Sequence, residues 1–126
     1  MAKKNVLIVD DEPHIVNLVR LSLDSQKYTV HGAYSAREAL ALLDHHNPDV
    51  ILVDLMMPGV NGYELCQALR DRPQTKKTPI IILSAKGQMK DKMQAIDVGA
   101  DDYVTKPFDP LELDRRIRLN IGGLGN

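Results

Sequence analysis

Five polar residues stand directly after short apolar runs of this 126-residue sequence: Asp10, Asp11, Asp54, Ser84 and Lys106. If the runs are strands of one parallel sheet, their carboxyl ends share an edge and these side chains lie close together. Three neighbouring carboxylates require either a bound cation or raised pKa values. Oxygen ligands in this number suit Mg²⁺, and the lysine would supply the remaining positive charge. The spacing therefore predicts an acidic, magnesium-binding edge.

Each of these residues also has a structural explanation. Asp10-Asp11-Glu12 could simply cap a following helix, since acidic residues favour the positive end of a helix. Lys106 could be a surface lysine whose aliphatic stem covers apolar surface. Asp54 is harder to explain, because it closes a wholly apolar run where a carboxylate needs a partner. The structural explanations would all have to coincide at one sheet edge, so we favour the site.

The segments that must position these residues alternate between short apolar runs and longer stretches of helical periodicity. Residues 6–9, 50–53 and 80–83 are continuous runs of Val, Ile and Leu, as expected of strands buried on both faces. Residues 28–33 and 103–105 are weaker runs, typical of strands near a sheet edge. This alternation predicts an α/β fold of five βα units, with a doubly wound parallel sheet covered by helices on both faces.

Five helices are predicted between and after these runs. The first covers about 13–25, and we expect Ile15, Leu18 and Val19 to face the core. The second helix begins at a Ser35 capping box, and the third covers about 63–70. The fourth ends before Gly99, and the fifth runs from Asp109 to about Ile121. In the last of them, Asp109 caps, Pro110 occupies the first turn and Glu112 is expected to complete the capping box.

The charge balance and cysteine content exclude several classes of protein. With 16 Lys+Arg against 17 Asp+Glu, the net charge of −1 gives no general attraction to nucleic acid or anionic membranes. The single Cys66 allows no internal disulfide, and the four histidines show no metal-ligand spacing. We therefore expect a cytoplasmic chain without direct nucleic-acid or membrane contact. One domain is expected over 1–121, with 122–126 as a flexible Gly-rich tail or the start of a linker.

Taken in order, these motifs resemble the receiver domain of two-component response regulators. The resemblance covers about residues 4–121, and its matching segments are 10–11, 54–62, 84–85 and 99–108. The ordered set is far more specific than any single piece. It implies a five-stranded parallel sheet in the flavodoxin-like order 2-1-3-4-5.

The resemblance implies a phosphorelay role for the acidic edge. Asp54 would accept a phosphoryl group from a histidine of a sensor histidine kinase or phosphotransfer protein. Asp11, Asp54 and the backbone carbonyl of Met56 would bind Mg²⁺, with Asp10 acting through a water. A carboxylate is a competent nucleophile, and phosphoryl transfer depends mainly on positioning and charge neutralisation.

The remaining site residues have roles implied by the same resemblance. Lys106 and the Ser84 hydroxyl would each contact a phosphoryl oxygen, and Ser84 would signal to Tyr103 as a coupled switch. The residues expected to shape the site are Ala85, Pro58, Gly62 and Pro107, the last in a cis peptide bond with the lysine.

Output is expected at the surface formed by the fourth helix, the fifth strand and the fifth helix. Its change on phosphorylation would alter binding to an output domain or protein. The segment also resembles receivers of winged-helix transcription factors, in which matching charges support a symmetric, activation-linked homodimer. Those positions are Lys92, Asp102, Glu112 and Arg116.

Three other functions compete with a phosphorylated receiver. A receiver-like interaction module would not accept phosphate. A magnesium-dependent phosphohydrolase with an aspartate nucleophile would usually carry a second aspartate where Met56 stands. A flavin or nucleotide carrier would have a Gly-rich turn after the first strand, where this chain has an acidic one. We favour the phosphoacceptor, which is not an enzyme with a separate turnover substrate.

Overall fold

The computed structural model describes residues 3–57, 59, 61–85 and 89–122, with the backbone alone for 89–91. Strands and helices alternate in the order β1 (Lys4–Val9), α1 (Pro13–Ser22), β2 (Tyr28–Ala33), α2 (Ala36–Leu42), β3 (Val50–Val53), α3 (Gly62–Asp71), β4 (Ile80–Ser84), α4 (Met89–Asp97), β5 (Asp102–Thr105) and α5 (Pro110–Asn120). Over this described part of the chain, none of the helices has the length and apolar character that crossing a membrane requires.

All five strands are parallel and lie in the order β2-β1-β3-β4-β5, which confirms the predicted fold class and strand order. The register places Val6 beside Val50 and Ile51 beside Ile80. Every residue of β3 and β4 is buried, as expected for central strands covered on both faces.

Helices cover both faces of the sheet because successive strand residues point to opposite sides. On one side, Ile8 and Leu52 pack with residues of α1 and α5 such as Val16 and Leu113. On the other side, alternate strand residues pack with residues of α2, α3 and α4, including Ala39, Leu65 and Ala95. This arrangement leaves the carboxyl ends of the strands uncovered, where the polar residues lie.

The first helix is shorter than predicted and packs through a different stripe. It ends at Ser22 because the backbone at Leu23 is extended. Val16, Val19 and Leu23 are buried, whereas Leu18 is 43% exposed, so the prediction that Leu18 faces the core is wrong. The physical reason lies in β2, where a Cβ on Gly32 would stand only 2.6 Å from Val16 Cγ1. That bare backbone admits Val16 and so orients the helix.

The caps predicted at Ser35 and Asp109 are present, and Asn61 adds an unpredicted cap to α3. Side-chain oxygens of Ser35, Asn61 and Asp109 accept backbone N–H groups in the first turns of α2, α3 and α5. Glu112 does not complete the cap of α5, because its carboxylate binds Arg116 Nε at 2.8 Å instead. A charge-assisted bond to guanidinium is stronger than one to a neutral backbone donor, so it prevails.

Candidate functional site

The polar residues predicted from the strand ends lie at one edge because backbone bonds extend the sheet beyond its strands. The N–H of Asp10 donates to Ala33 O at 3.0 Å, and the N–H of Asp54 donates to Val9 O at 2.9 Å. The N–H of Lys106 donates to Ser84 O at 2.8 Å. The positions of these backbones are therefore set by the sheet itself.

Lys106 connects the two buried aspartates. Its Nζ lies 2.7 Å from Asp10 Oδ2 and 3.6 Å from Asp54 Oδ2. The lysine side chain is 13% exposed, and the two carboxylates are 0% and 3% exposed. Two buried carboxylates against one ammonium leave a net negative charge where water screens poorly. The pocket therefore favours a further cation.

Burial also shapes the chemistry of Asp54. Its Oδ1 accepts the backbone N–H of Met56 at 3.2 Å. Loss of solvent raises the pKa of the Asp54 carboxyl to about 6, and the nearby Asp10 and Asp11 add to the rise. The Met56 N–H and Lys106 act in the opposite direction. A cation bound beside this carboxyl would favour its ionised form, which is the nucleophilic one.

Three carboxylates that are consecutive in the sequence form a compact group at this site. One oxygen from each of Asp10, Asp11 and Glu12 lies within 4.8 Å of the others. Hard oxygen donors of this kind fit Mg²⁺, which typically uses few protein carboxylates and keeps several waters. Asp54 is not one of the three, and its oxygens contact Lys106 and the Met56 N–H.

Glu12 is the member of this acidic cluster that sequence reasoning missed. The sequence predicts only a helix-capping role for it, yet its side chain makes no cap bond to α1. Its Oε2 instead lies 3.4 Å from His14 Nε2, and its backbone N–H donates to Asp10 Oδ1 at 3.0 Å. Its position directly after two aspartates was the available signal.

The predicted switch residues lie on adjacent strands. Ser84 ends β4, is fully buried and pairs in register with Thr105 of β5. Tyr103 lies two residues earlier on β5, is partly buried and packs against the layer of α2, α3 and α4. Lys92 Nζ of α4 stands 5.8 Å from the centre of the Tyr103 ring. Ala85 is exposed beside Ser84.

Two of the predicted shaping residues have clear structural positions. The peptide bond between Lys106 and Pro107 is cis. A Cβ on Gly62 would lie 2.5 Å from Asp54 O and 2.7 Å from Leu55 Cα, so only glycine allows α3 to begin this close to β3. Pro58 lies outside the described residues.

The four charges predicted for a dimer share one surface, formed by α4, β5 and α5. Arg116 pairs within its own chain with Asp102, at 3.2 Å, and with Glu112, at 2.8 Å. Lys92 extends from α4 toward the same strand. Exposed Met93 adds apolar area beside them.

The model of the response regulator receiver domain family matches residues 6–118. The chain belongs to this family. As a receiver domain, it is similar to the regulatory protein VanR of Enterococcus faecium, with 44% identity over 92% of this chain and 49% of the relative. It is also 42% identical to the phosphate regulon transcriptional regulatory protein PhoB of Pseudomonas aeruginosa, over 99% of this chain and 55% of the relative.

These relatives are about twice as long as this receiver domain, so the chain spans about half of each. A third relative is the DNA-binding dual master transcriptional regulator RpaA of Synechocystis, 44% identical over 90% of this chain and 47% of its own length. The expectation of no direct nucleic-acid contact therefore finds no support in these names. The name of RpaA attributes DNA binding to a protein of which the chain spans about half.

Solved structures share the same fold. A response regulator from Chloroflexus aurantiacus matches with a TM-score of 0.90 and 36% identity, over 96% of this chain and 99% of that one. Chemotaxis response regulator CheY4 of Vibrio cholerae matches with a TM-score of 0.84 and 35% identity, over 92% of this chain and 99% of that one. A third match is the receiver domain of sensor histidine kinase PA1611 of Pseudomonas aeruginosa, solved with magnesium in its active-site cleft. Its TM-score is 0.86 and its identity 29%, over 96% of this chain and 99% of that one.

Proposed function

We propose that this receiver domain takes a phosphoryl group onto Asp54 from a phosphohistidine of a sensor histidine kinase or phosphotransfer protein. The observation that carries the proposal is a buried carboxylate that stands 3.6 Å from a buried ammonium and beside an acidic cluster. The ammonium can neutralise part of the charge on the incoming group, and the acidic cluster can hold the further cation that the net negative charge favours. This function places the chain in the cytoplasm.

The cation of this site is proposed to be Mg²⁺, bound by Asp11, Asp54 and the backbone carbonyl of Met56, with Asp10 acting through a water. Glu12 lies close enough to orient a water of the same ion. When bound, Mg²⁺ supplies the positive charge that lets a carboxylate and a phosphoryl group approach each other. The magnesium in the cleft of the PA1611 receiver supports this choice.

The transfer itself uses side chains of this chain for attack and charge neutralisation. An Oδ atom of Asp54 attacks phosphorus as the P–N bond of the donor breaks, and the imidazole leaves with the electron pair and takes up a proton. Lys106 Nζ, which lies between the two carboxylates, contacts one oxygen of the phosphoryl group during the transfer. The Ser84 hydroxyl contacts a second oxygen. The product is an acyl phosphate.

Incubation with acetyl phosphate and intact-mass measurement test this function. We expect one phosphoryl group on the chain with Mg²⁺, and none when EDTA is present. Asp54→Asn should remain unlabelled, whereas Asp71→Asn, an exposed aspartate at the end of α3, should label like the parent chain. A folded parent chain that never labels would favour the interaction module instead.

Phosphorylation is proposed to change the surface of α4, β5 and α5 through Ser84 and Tyr103. The pair occupies adjacent strands, with Tyr103 directly beneath the Lys92 ammonium. A shift of Ser84 toward the phosphoryl group biases Tyr103 between two positions and so selects between two surfaces. An output domain or protein would bind the selected surface.

The same surface is proposed to form a homodimer on activation, through Lys92, Asp102, Glu112 and Arg116. Exchange of the internal Arg116 pairs for equivalent pairs across a two-fold axis changes the electrostatic energy little. Burial of exposed Met93 would then favour association. Sedimentation with and without beryllofluoride should show a monomer that becomes a dimer, and an unchanged monomer would contradict the proposal.

A further inference from the structure

Two histidines far apart in sequence meet beside the edge strand of the sheet. His31 lies on β2, and His46 lies beyond the end of α2. Their ring centres are 4.6 Å apart, and the ring planes are inclined by 36°. The spacing of these residues in the sequence gives no metal motif, so the contact arises only because α2 returns along β2.

The surroundings of the pair restrict its partners. Both rings line a small pocket whose other walls include Leu7, Leu43 and Pro48. Leu7 is the register partner of His31 on β1, so one side of the pocket is part of the sheet. Across residues 3–57, 59, 61–85 and 89–122, neither ring forms a hydrogen bond or an ion pair with another residue. No described residue therefore competes with a bound ion for the ring nitrogens.

Imidazole nitrogen is a preferred ligand of Zn²⁺, Ni²⁺ and Cu²⁺, whereas Mg²⁺ prefers oxygen. Metal–nitrogen bonds of about 2.0–2.1 Å place two rings in adjacent coordination positions with centres about 4.5–5.2 Å apart, the lower value at a right angle and the upper at a tetrahedral one. The observed separation of 4.6 Å falls within this range. We propose that His31 and His46 form a binding site for a borderline divalent cation such as Zn²⁺, separate from the acidic pocket.

The charges around the pair favour coordination over simple charge attraction. Burial, together with the neighbouring His46 and Arg20, holds the pKa of His31 below its usual value. The guanidinium of Arg20 is directed to Val30 O and Asn17 Oδ1, each at 3.4 Å. A nearby positive charge opposes hard cations, which bind mainly by charge, more than metals bound through imidazole.

A bound ion would connect the edge strand to the segment between α2 and β3. That segment is already attached to β1, because Asp49 Oδ2 accepts the Asn5 N–H at 2.7 Å. A metal bridge at His46 would add a further attachment and stabilise the folded chain increasingly as the metal concentration rises. This effect does not depend on phosphorylation.

Calorimetric titration of the tag-free chain with Zn²⁺ tests the proposal. The titration is done in excess Mg²⁺ and in an Asp11→Asn/Asp54→Asn background, so that the acidic pocket does not take up Zn²⁺. We expect one equivalent to bind, and His46→Gln to weaken it at least tenfold. His45→Gln removes the adjacent exposed imidazole and should leave the affinity unchanged. Ring-proton NMR signals of both His31 and His46 should shift on binding.

Two results would overturn the site. One is the absence of Zn²⁺ binding in the background variant, and the other is equal affinity in His46→Gln and its parent. His46 is exposed, so its replacement does not threaten the fold. His31→Gln should weaken binding to a similar extent, with circular dichroism as the check that this variant is folded.

Discussion

Lys106 Nζ lies 2.7 Å from the buried carboxylate of Asp10, a residue 96 positions away in the chain. The contact joins the carboxyl ends of the first and last strands across the sheet. It also brings the ammonium within 3.6 Å of Asp54. The stability of the fold and the charge of the candidate site therefore depend on the same three side chains.

Removal of this ammonium should destabilise the chain. Lys106→Met leaves two buried carboxylates without their cation, and loss of one partner of a buried pair costs about 3 kcal/mol or more. Urea denaturation at pH 7.5 in EDTA should show this loss, and the loss should shrink near pH 4 as the Asp54 carboxyl, whose pKa is about 6, protonates. Lys76→Met, at an exposed lysine, is the control and should change little. Equal stabilities of the two variants would contradict the burial argument.

Neutralisation of Asp54 should have the opposite effect. Its folded-state pKa is raised from 3.8 to about 6, so between these values the folded chain binds more protons than the unfolded chain. Stability from this group is therefore lost as pH rises through that window, and the full penalty remains above it. Since one pKa unit corresponds to about 1.4 kcal/mol, Asp54→Asn should be more stable by roughly 1–3 kcal/mol at pH 7.5 in EDTA. The difference should vanish near pH 4. A less stable variant at pH 7.5 would refute this.

At the opposite edge of the sheet, Arg70 should be a major stabilising residue. Its guanidinium donates to Gly99 O at 2.8 Å, Thr78 O at 2.6 Å and Asp101 Oδ2 at 2.7 Å. Arg70→Met leaves these acceptors unsatisfied and should cost about 2–4 kcal/mol. Arg72→Met breaks a more exposed pair and should cost less than about 1 kcal/mol. Thermal unfolding of both variants measures the contrast, and similar losses would disprove it.

Gly62 should be intolerant of even one added methyl group. In Gly62→Ala, the new Cβ meets the backbone of Asp54 and Leu55. Backbone atoms cannot move aside as the end of a flexible side chain could. Overpacking of this kind costs roughly 1–3 kcal/mol and should shift the backbone that carries the phosphoacceptor. Denaturation and amide NMR shifts around residue 54 are the measurements. Gln67→Ala, on the exposed side of the same helix, serves as the control, and matching behaviour of the two would contradict the close approach.

The sheet and its polar edge could be predicted because they depend on local patterns. Continuous apolar runs identified β1, β3 and β4, and the residues after them were placed together by parallel pairing alone. The orientation of α1 could not be predicted, since it depends on the space above Gly32 of a different element. The partner of Glu112 was missed for a related reason, because an arginine one turn later competes with the cap.

Long-range contacts account for the other differences. Glu12 is different, because it joins the acidic cluster beside its sequence neighbours Asp10 and Asp11 and makes no side-chain cap bond to α1. His31 and His46 meet only after α2 has packed along β2. No periodicity in the sequence carries this information.

Location of the modified residue tests the central claim most directly. The chain is incubated with acetyl phosphate and Mg²⁺ and then treated with borohydride, which reduces an acyl phosphate so that the modified aspartate becomes homoserine. Peptide mass mapping should find homoserine at position 54 alone, at a level that falls to background in EDTA. Homoserine at Asp10 or Asp11 instead, or labelling that is independent of Mg²⁺, would contradict the account.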